Sequence, residues 1–175
     1  YNSKALGESS TAIGSGAKAN GMHSTAIGRG TTACSYGETV IGYYSSDYTP
    51  ASTTEPNDND RLFVIGNGKP TTSNGLTYIS PNNALVMLKN GNTTLNGSLT
   101  VNGDFLTKGS FTPSATTTYN LGSSDKRWNY VYANYLNISG TSTLGGSVTP
   151  SENGSYNLGS TSYRWNNIYG KYGNF

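Results

Sequence analysis

Glycine recurs every seventh residue at the start of this chain, at positions 7, 14, 21, 28 and 42, with Ser35 in the one remaining place. A helix is excluded, because each interior Gly costs about 1 kcal/mol relative to Ala. A fourteen-residue repeat is superimposed on the shorter one: STAIG at 10–14, STAIG at 24–28 and ETVIG at 38–42. Ala5, Ala12, Ala19, Ala26, Ala33 and Val40 lie two residues before each turn position. A coil of two short strands per repeat, turning at each Gly, satisfies both periods. Ala and Ile are expected to face inward in this coil, with Ser and Thr outward, each rung stacking on the next.

Composition says what such a coil lacks. Only 11% of the 175 residues are charged, against about 25% in ordinary domains. Of the 33% counted as hydrophobic, 14 residues are Tyr. That leaves too little aliphatic side chain for a thick core within one chain. Tyr, Thr, Val and Ile are nevertheless too frequent, and the net charge of +2 too low, for plain disorder. Several chains sharing one core is the expected solution. The charge forms no basic cluster, so no nucleic-acid partner is expected. No apolar run approaches the ~20 residues of a membrane-spanning helix, so no membrane insertion is expected either. The opening YNSK, without an initiator Met or signal peptide, reads as a fragment or a processed product. The lone Cys34 excludes an intrachain disulfide and reads as a small buried hydrophobe.

The three stacked lines STAIG, STAIG and ETVIG resemble the heads of trimeric autotransporter adhesins of the YadA-like kind. Those repeats also run as a small residue, Ala-Ile-Gly, then a second Ala-x-Gly. The resemblance covers residues 1–42 and implies a left-handed parallel β-roll, trimeric, with Ile13, Ile27 and Ile41 in the packed interior.

A connector spans 43–89. Its first part, YYSSDYTPASTTEPNDNDR (43–61), breaks the period and is expected to leave the roll as an exposed loop. DND at 58–60 opens like a calcium loop, but the Gly and distal Glu of that pattern are missing, so no metal is expected. RLFVIGNG (61–68) and ALVMLKNG (84–91) both end in Asn-Gly, a strong turn signal. They form either a hairpin with a decorated tip or strands completed by other chains. From 90 to 111 the period falls to six, NGNTTL, NGSLTV, NGDFLT and KGSFTP. Strands this short, with one or two apolar residues each, cannot bury themselves. They resemble the triple-stranded β-helical shafts of phage tail fibres.

Residues 112–175 hold two copies of one segment. TPSATTTYNLGSSDKRWNYVYANYLNI (112–138) aligns without a gap onto TPSENGSYNLGSTSYRWNNIYGKYGNF (149–175). These copies resemble the distal segments of phage tail fibres and tail spikes that precede an intramolecular chaperone domain. In that family the chaperone trimerises the fibre and then cuts itself off with its own serine. Under this resemblance the chaperone is a partner during assembly and Phe175 a candidate processing junction, the alternative being a fragment end.

Catalysis finds little support in the sequence. A glycan-cleaving spike needs paired carboxylates, one with a raised pKa. None of the nine acidic residues has apolar flanks that would raise one, and Asp125 becomes Ser162 in the second copy. The single His23 lies outward by register. A rank of Thr11, Thr25 and Thr39, at a strand spacing of about 4.8 Å, is too short for an ice surface and is flanked by Glu38 and His23. Arg127-Trp128 and Arg164-Trp165 admit two readings, Trp stacked on a sugar ring or Trp plugging a trimer core with Leu121 and Leu158. The second is favoured, because Leu-Gly and the Tyr positions recur together while Lys126/Tyr163 and Tyr130/Asn167 vary around them.

The expectation is an all-β, elongated homotrimer: β-roll head, connector, β-helical shaft and twin distal repeats. It is a structural and receptor-binding fibre of a phage tail, borne on the virion, with no cofactor and no catalytic residue. Its partners are its own copies and a host surface glycan or protein, met by Tyr43, Tyr44, Tyr48, Tyr130, Tyr163 and Tyr172. The alternative is a surface adhesin of the bacterial autotransporter type, and a glycan-cleaving tail spike stands third.

Overall fold

A computed structural model describes residues 2–171. All regular structure within them is β, and contacts divide the chain into two units, Tyr1–Ser110 and Phe111–Phe175.

The first unit opens as a parallel roll. Strands β1 (Lys4–Ala5), β3 (Lys18–Ala19) and β5 (Thr32–Ala33) form one narrow sheet. Strands β2 (Thr11–Ile13), β4 (Thr25–Arg29) and β6 (Thr39–Tyr43) begin the other. The register follows the fourteen-residue repeat: Thr11 pairs with Thr25 and Thr25 with Thr39, Ile13 with Ile27 and Ile27 with Ile41. Between the sheets lies a thin core of Ala17, Ala19, Ala26, Ala33, Val40 and Val64, with Ala12 and Val86 against it.

Ile does not share that interior. Consecutive strand residues point to opposite faces, so once Ala12 and Ala26 face in, Ile13 and Ile27 must face out. They are 57% and 41% exposed. The expectation that Ala and Ile both pack inside one roll is corrected by this alternation.

The roll also continues past residue 42. Strand β7 (Arg61–Asn67) adds to β6 in parallel, with Val64 on Val40, Ile65 on Ile41 and Gly66 on Gly42. The segment between them is an insertion within a rung. Its tip is exposed, but its shoulders are not: Ser45 and Asp60 are buried, and Ser45 Oγ accepts the Thr32 N–H at 2.9 Å. Further backbone bonds run from Met22 N–H to the Thr53 carbonyl and from Tyr36 N–H to the Ser52 carbonyl. The loop is therefore folded back on the roll instead of leaving it.

Of the two alternatives for the apolar runs, the hairpin is found. Strand β10 (Asn83–Leu88) runs antiparallel to β7, pairing Val86 with Val64. The decoration is a second hairpin of β8 (Lys69–Ser73) and β9 (Leu76–Ser80), turning at Asn74-Gly75. Both turn residues have positive φ, 51° and 74°, as a type I′ turn requires. The first hexad then folds back as β11 (Thr93–Leu95) on β10, completing a six-stranded sheet in the order β11-β10-β7-β6-β4-β2. Residues 98–110 contain no strand, and neither do the described residues of the second unit.

One glycine column sets the rung spacing. Gly14, Gly28 and Gly42 have φ of 120°, 123° and 107°. A Cβ on each would overlap the carbonyl oxygen of the Gly one rung on, Gly28, Gly42 and Gly66 respectively. Gly37 also has positive φ, 61°, but faces open space. Gly28→Ala should therefore destabilise the roll by about 2–3 kcal/mol through combined backbone strain and overlap. Gly37→Ala should lose only about 1 kcal/mol, the left-handed conformation alone. Denaturant unfolding of the two variants followed by circular dichroism would refute the stacking account if their midpoints fell equally.

Candidate attachment site

The sheet's outer face carries an aliphatic rank. Register aligns Ile13, Ile27, Ile41, Ile65, Leu85 and Leu95 across all six strands. At about 4.8 Å per strand the rank extends roughly 24 Å. Its first half was legible in the repeat. Ile65, Leu85 and Leu95 were not assigned, although VIG at 64–66 repeats VIG at 40–42.

Three of the Tyr candidates lie in the insertion's first shoulder. Tyr43 is 37% exposed, and its hydroxyl takes a long contact of 3.4 Å from the Arg29 guanidinium. Tyr44 meets Tyr43 edge-on, with ring centroids 4.6 Å apart. The Arg29 guanidinium carbon lies 5.9 Å from the Tyr43 centroid and 5.5 Å from that of Tyr44. Tyr44 itself has φ of 43°, and its ring occupies the space where a Gly30 side chain would stand. Tyr48 does not present an exposed contact. The Arg61 guanidinium covers its ring at 4.0 Å, its hydroxyl accepts the Arg61 N–H at 3.1 Å, and burial pushes its pKa up to about 12. It is a fastening for the loop.

Beneath that loop the roll ends in buried polar groups. Glu38 occupies the place of Ser10 and Ser24 on the previous rungs, and it is fully buried. Its Oε2 accepts the Cys34 and Ser35 N–H groups at 2.7 and 2.9 Å, while Oε1 has no hydrogen-bond partner. Burial pushes this carboxyl above the ordinary range, against the pull of those two N–H groups and of the Arg61 and Lys89 charges. The expectation that no carboxylate has a raised pKa fails here, because the covering residues come from the connector and not from the sequence flanks of Glu38. Lys89 Nζ donates to Ser35 Oγ at 2.9 Å and to the Arg61 carbonyl at 2.7 Å. Asp60 accepts the Ala51 and Ser52 N–H groups at 2.7 and 3.0 Å, so both its oxygens hold the loop. Ser35, which replaces the Gly of earlier rungs, has room for its side chain and bonds the Arg61 carbonyl at 2.8 Å. Burial raises the Cys34 pKa, which keeps the thiol protonated and inert.

A pH dependence follows from Glu38. Its folded-state pKa lies above its unfolded value of about 4.3, so the folded chain holds the proton more tightly. The resulting stability is full below the unfolded pKa and is lost as pH rises through the folded one. Glu38→Gln keeps an oxygen for the two N–H groups and has nothing to ionise. Its stability relative to the native chain should improve as pH rises from the unfolded pKa through the folded one, and level off above it. Urea unfolding at several pH values checks this, and a pH-independent difference between the two proteins would rule it out.

The distal copies fold alike on a local scale. Gly122 and Gly159 have φ of 87° and 88°. The Ser123 N–H bonds the Lys126 carbonyl at 2.9 Å, and the Ser160 N–H bonds the Tyr163 carbonyl at 2.8 Å. Arg127 Nε and Arg164 Nε each donate 3.1 Å back to the carbonyls of Ser124 and Thr161. The Trp128 and Trp165 indoles lie 3.6 and 3.4 Å from where a Cβ on Gly122 and Gly159 would stand. Arg thus braces a turn in both copies, while Trp128 and Trp165 stay 64% and 62% exposed. Leu121 and Leu158 are exposed too, as are Tyr130 and Tyr163. Tyr130 stacks on Tyr132 at 5.9 Å. Tyr172 and Phe175 lie outside the described residues.

Among the described residues no group of three or more His, Cys, Asp or Glu is placed to hold a metal ion, and no helix is long and apolar enough to cross a membrane. Comparison with curated proteins and with solved structures returns no match. A family model does match: residues 2–31 correspond to two copies of the YadA head domain repeat.

Proposed function

We propose that the chain is part of a homotrimeric attachment fibre, non-catalytic, whose copies share a core and present surface loops to a host cell. The aliphatic rank from Ile13 to Leu95 carries this reading. It lies on the outer face of a roll whose own apolar interior is Ala and Val. Three copies facing one axis would bury it, at about 25 cal/mol per Å² of apolar area removed from water. The YadA head repeats at 2–31 support the same arrangement. In the distal unit Leu121, Trp128, Leu158 and Trp165 would be covered in the same way. Threefold display then multiplies weak contacts, by factors of about 10²–10⁴ in avidity. Tyr43, Tyr44, Tyr130 and Tyr163 are the assigned contacts.

Within this class we read the chain as phage tail fibre, carried on the virion and trimerised with the help of a chaperone segment. The twin distal repeats favour it, since each keeps the same glycine, turn and Arg brace at an offset of 37 residues. A bacterial surface adhesin shares the head but gives no reason for those repeats.

The solution mass tests the shared core. Light scattering should give three times the 18.5 kDa of one chain, and a folded monomer would end the proposal. Ile27→Asp with Ile65→Asp should shift the equilibrium to monomer while leaving the β circular dichroism of the roll in place. Trp128→Ala and Trp165→Ala should weaken assembly before attachment. Loss of cell binding by an intact trimer of either Trp variant would make the pair a receptor site instead.

A further inference from the structure

We infer that the base of the β8–β9 hairpin is a binding site for a saccharide carrying an anionic group. The inference deepens the attachment reading and rests on it. A recess of about 370 Å³ lies here, lined by Asn67, Lys69, Thr71, Ser80, Pro81 and Asn82. That volume falls in the ordinary range for small-ligand sites, about 300–1,000 Å³, and suits one or two sugar rings.

The walls are held by backbone. The Asn67 N–H bonds the Asn82 carbonyl at 3.0 Å, the Gly68 N–H the Tyr43 carbonyl at 2.9 Å, and the Asn82 N–H the Tyr44 carbonyl at 3.1 Å. Asn82 Nδ2 donates to Asn67 Oδ1 at 2.9 Å. This bond orients both amides and leaves each with capacity to spare, N–H on Asn67 and carbonyl oxygen on Asn82. Two hydroxyls, of Thr71 and Ser80, complete a set of donors and acceptors suited to sugar hydroxyls.

Hairpin register supplies an aromatic surface. Thr71 pairs with Tyr78 and Lys69 with Ser80, so these four side chains share one face of the hairpin. Tyr78 is 56% exposed and, beside Thr71 on that face, offers a platform for the C–H face of a ring. Among the described residues Lys69 is the only charged one lining the recess. With no carboxylate beside it to neutralise the ammonium, the site favours an anionic sugar over a neutral one. The same lack of carboxylates leaves nothing there to cleave a glycosidic bond.

Methyl β-glucuronide and methyl β-glucoside differ only in the carboxylate, so titrating each into the full chain by saturation-transfer NMR is the direct test. The glucuronide should bind at least fivefold more tightly, and added salt should reduce the preference. Lys69→Gln should abolish the preference while keeping weak binding of both, and Tyr78→Ser should lose both. Both residues are exposed, so the fold should survive. Equal binding of the two glycosides, binding of neither, or a preference untouched by Lys69→Gln would each overturn the site. Adhesion of the full chain to host cells is scored in parallel. If the native chain adheres and Lys69→Gln adheres equally well, the saccharide site is wrong and the attachment reading stands. If the native chain adheres to no cell, the attachment reading fails, and the glycoside titration still decides what the recess binds.

Discussion

Everything in the first unit depends on how closely successive rungs approach at the Gly14–Gly28–Gly42–Gly66 column. No side chain fits between one backbone and the next there, so the contact fixes rung spacing and forbids slippage. A shift by one residue would bring a Cβ into the column and turn every Ala to the surface. Hydrogen-bonded ladders alone hold register weakly in short strands, and these strands are two to seven residues long. The steric column supplies what the ladders lack. It also explains why the insertion between β6 and β7 is tolerated: the chain leaves after Tyr43 and returns in time to place Gly66 on Gly42.

The apolar part of the interior is Ala, and then Val. A core of that kind is thin, and the alternation of strand residues sends the larger Ile side chains outward. The two facts are linked. The small residues of the thin interior and the aliphatic rank of the outer face are the two sides of the same strands. The rank widens from Ile13 to Leu95 without interruption, although its strands change from parallel to antiparallel at β10. The roll and the hairpin therefore form one continuous face, whatever separates them along the chain.

Much of this was written in the repeat itself. Period, register and turn positions of the first three rungs follow from Gly and Ala spacing, because the same local constraint recurs each time. The fourth rung was hidden by arithmetic: VIG at 64–66 lies 24 residues after VIG at 40–42, and a fourteen-residue template cannot see across an inserted loop. The facing of Ile is not legible in the repeat taken as one stripe, because strand geometry divides it into two. Glu38 and Tyr48 were beyond reach for another reason. Arg61 covers the Tyr48 ring and, with Lys89, brings charge to Glu38; both come from the connector, and nothing in the flanks of Glu38 or Tyr48 announces it. Tyr43 ends β6 at the surface and Tyr44, half-buried over Gly30, opens the insertion before it turns inward at Ser45.

The polar end of the roll illustrates how such a structure is closed. A parallel roll exposes its last rung as a row of unpaired N–H and C=O groups, an edge on which other chains could add. Here several of the backbone groups near that edge are answered locally. Glu38 takes the N–H groups of Cys34 and Ser35, Ser45 takes that of Thr32, and Lys89 and Ser35 both donate to the carbonyl of Arg61. The distal repeats use the same device without a sheet, each Arg returning to a carbonyl three residues back. In both units polar side chains settle the backbone of one chain, while the large apolar side chains remain outside. That division is the one the proposed attachment fibre calls for: local polar contacts define the shape of each chain, and the apolar faces are what its copies would cover in that reading.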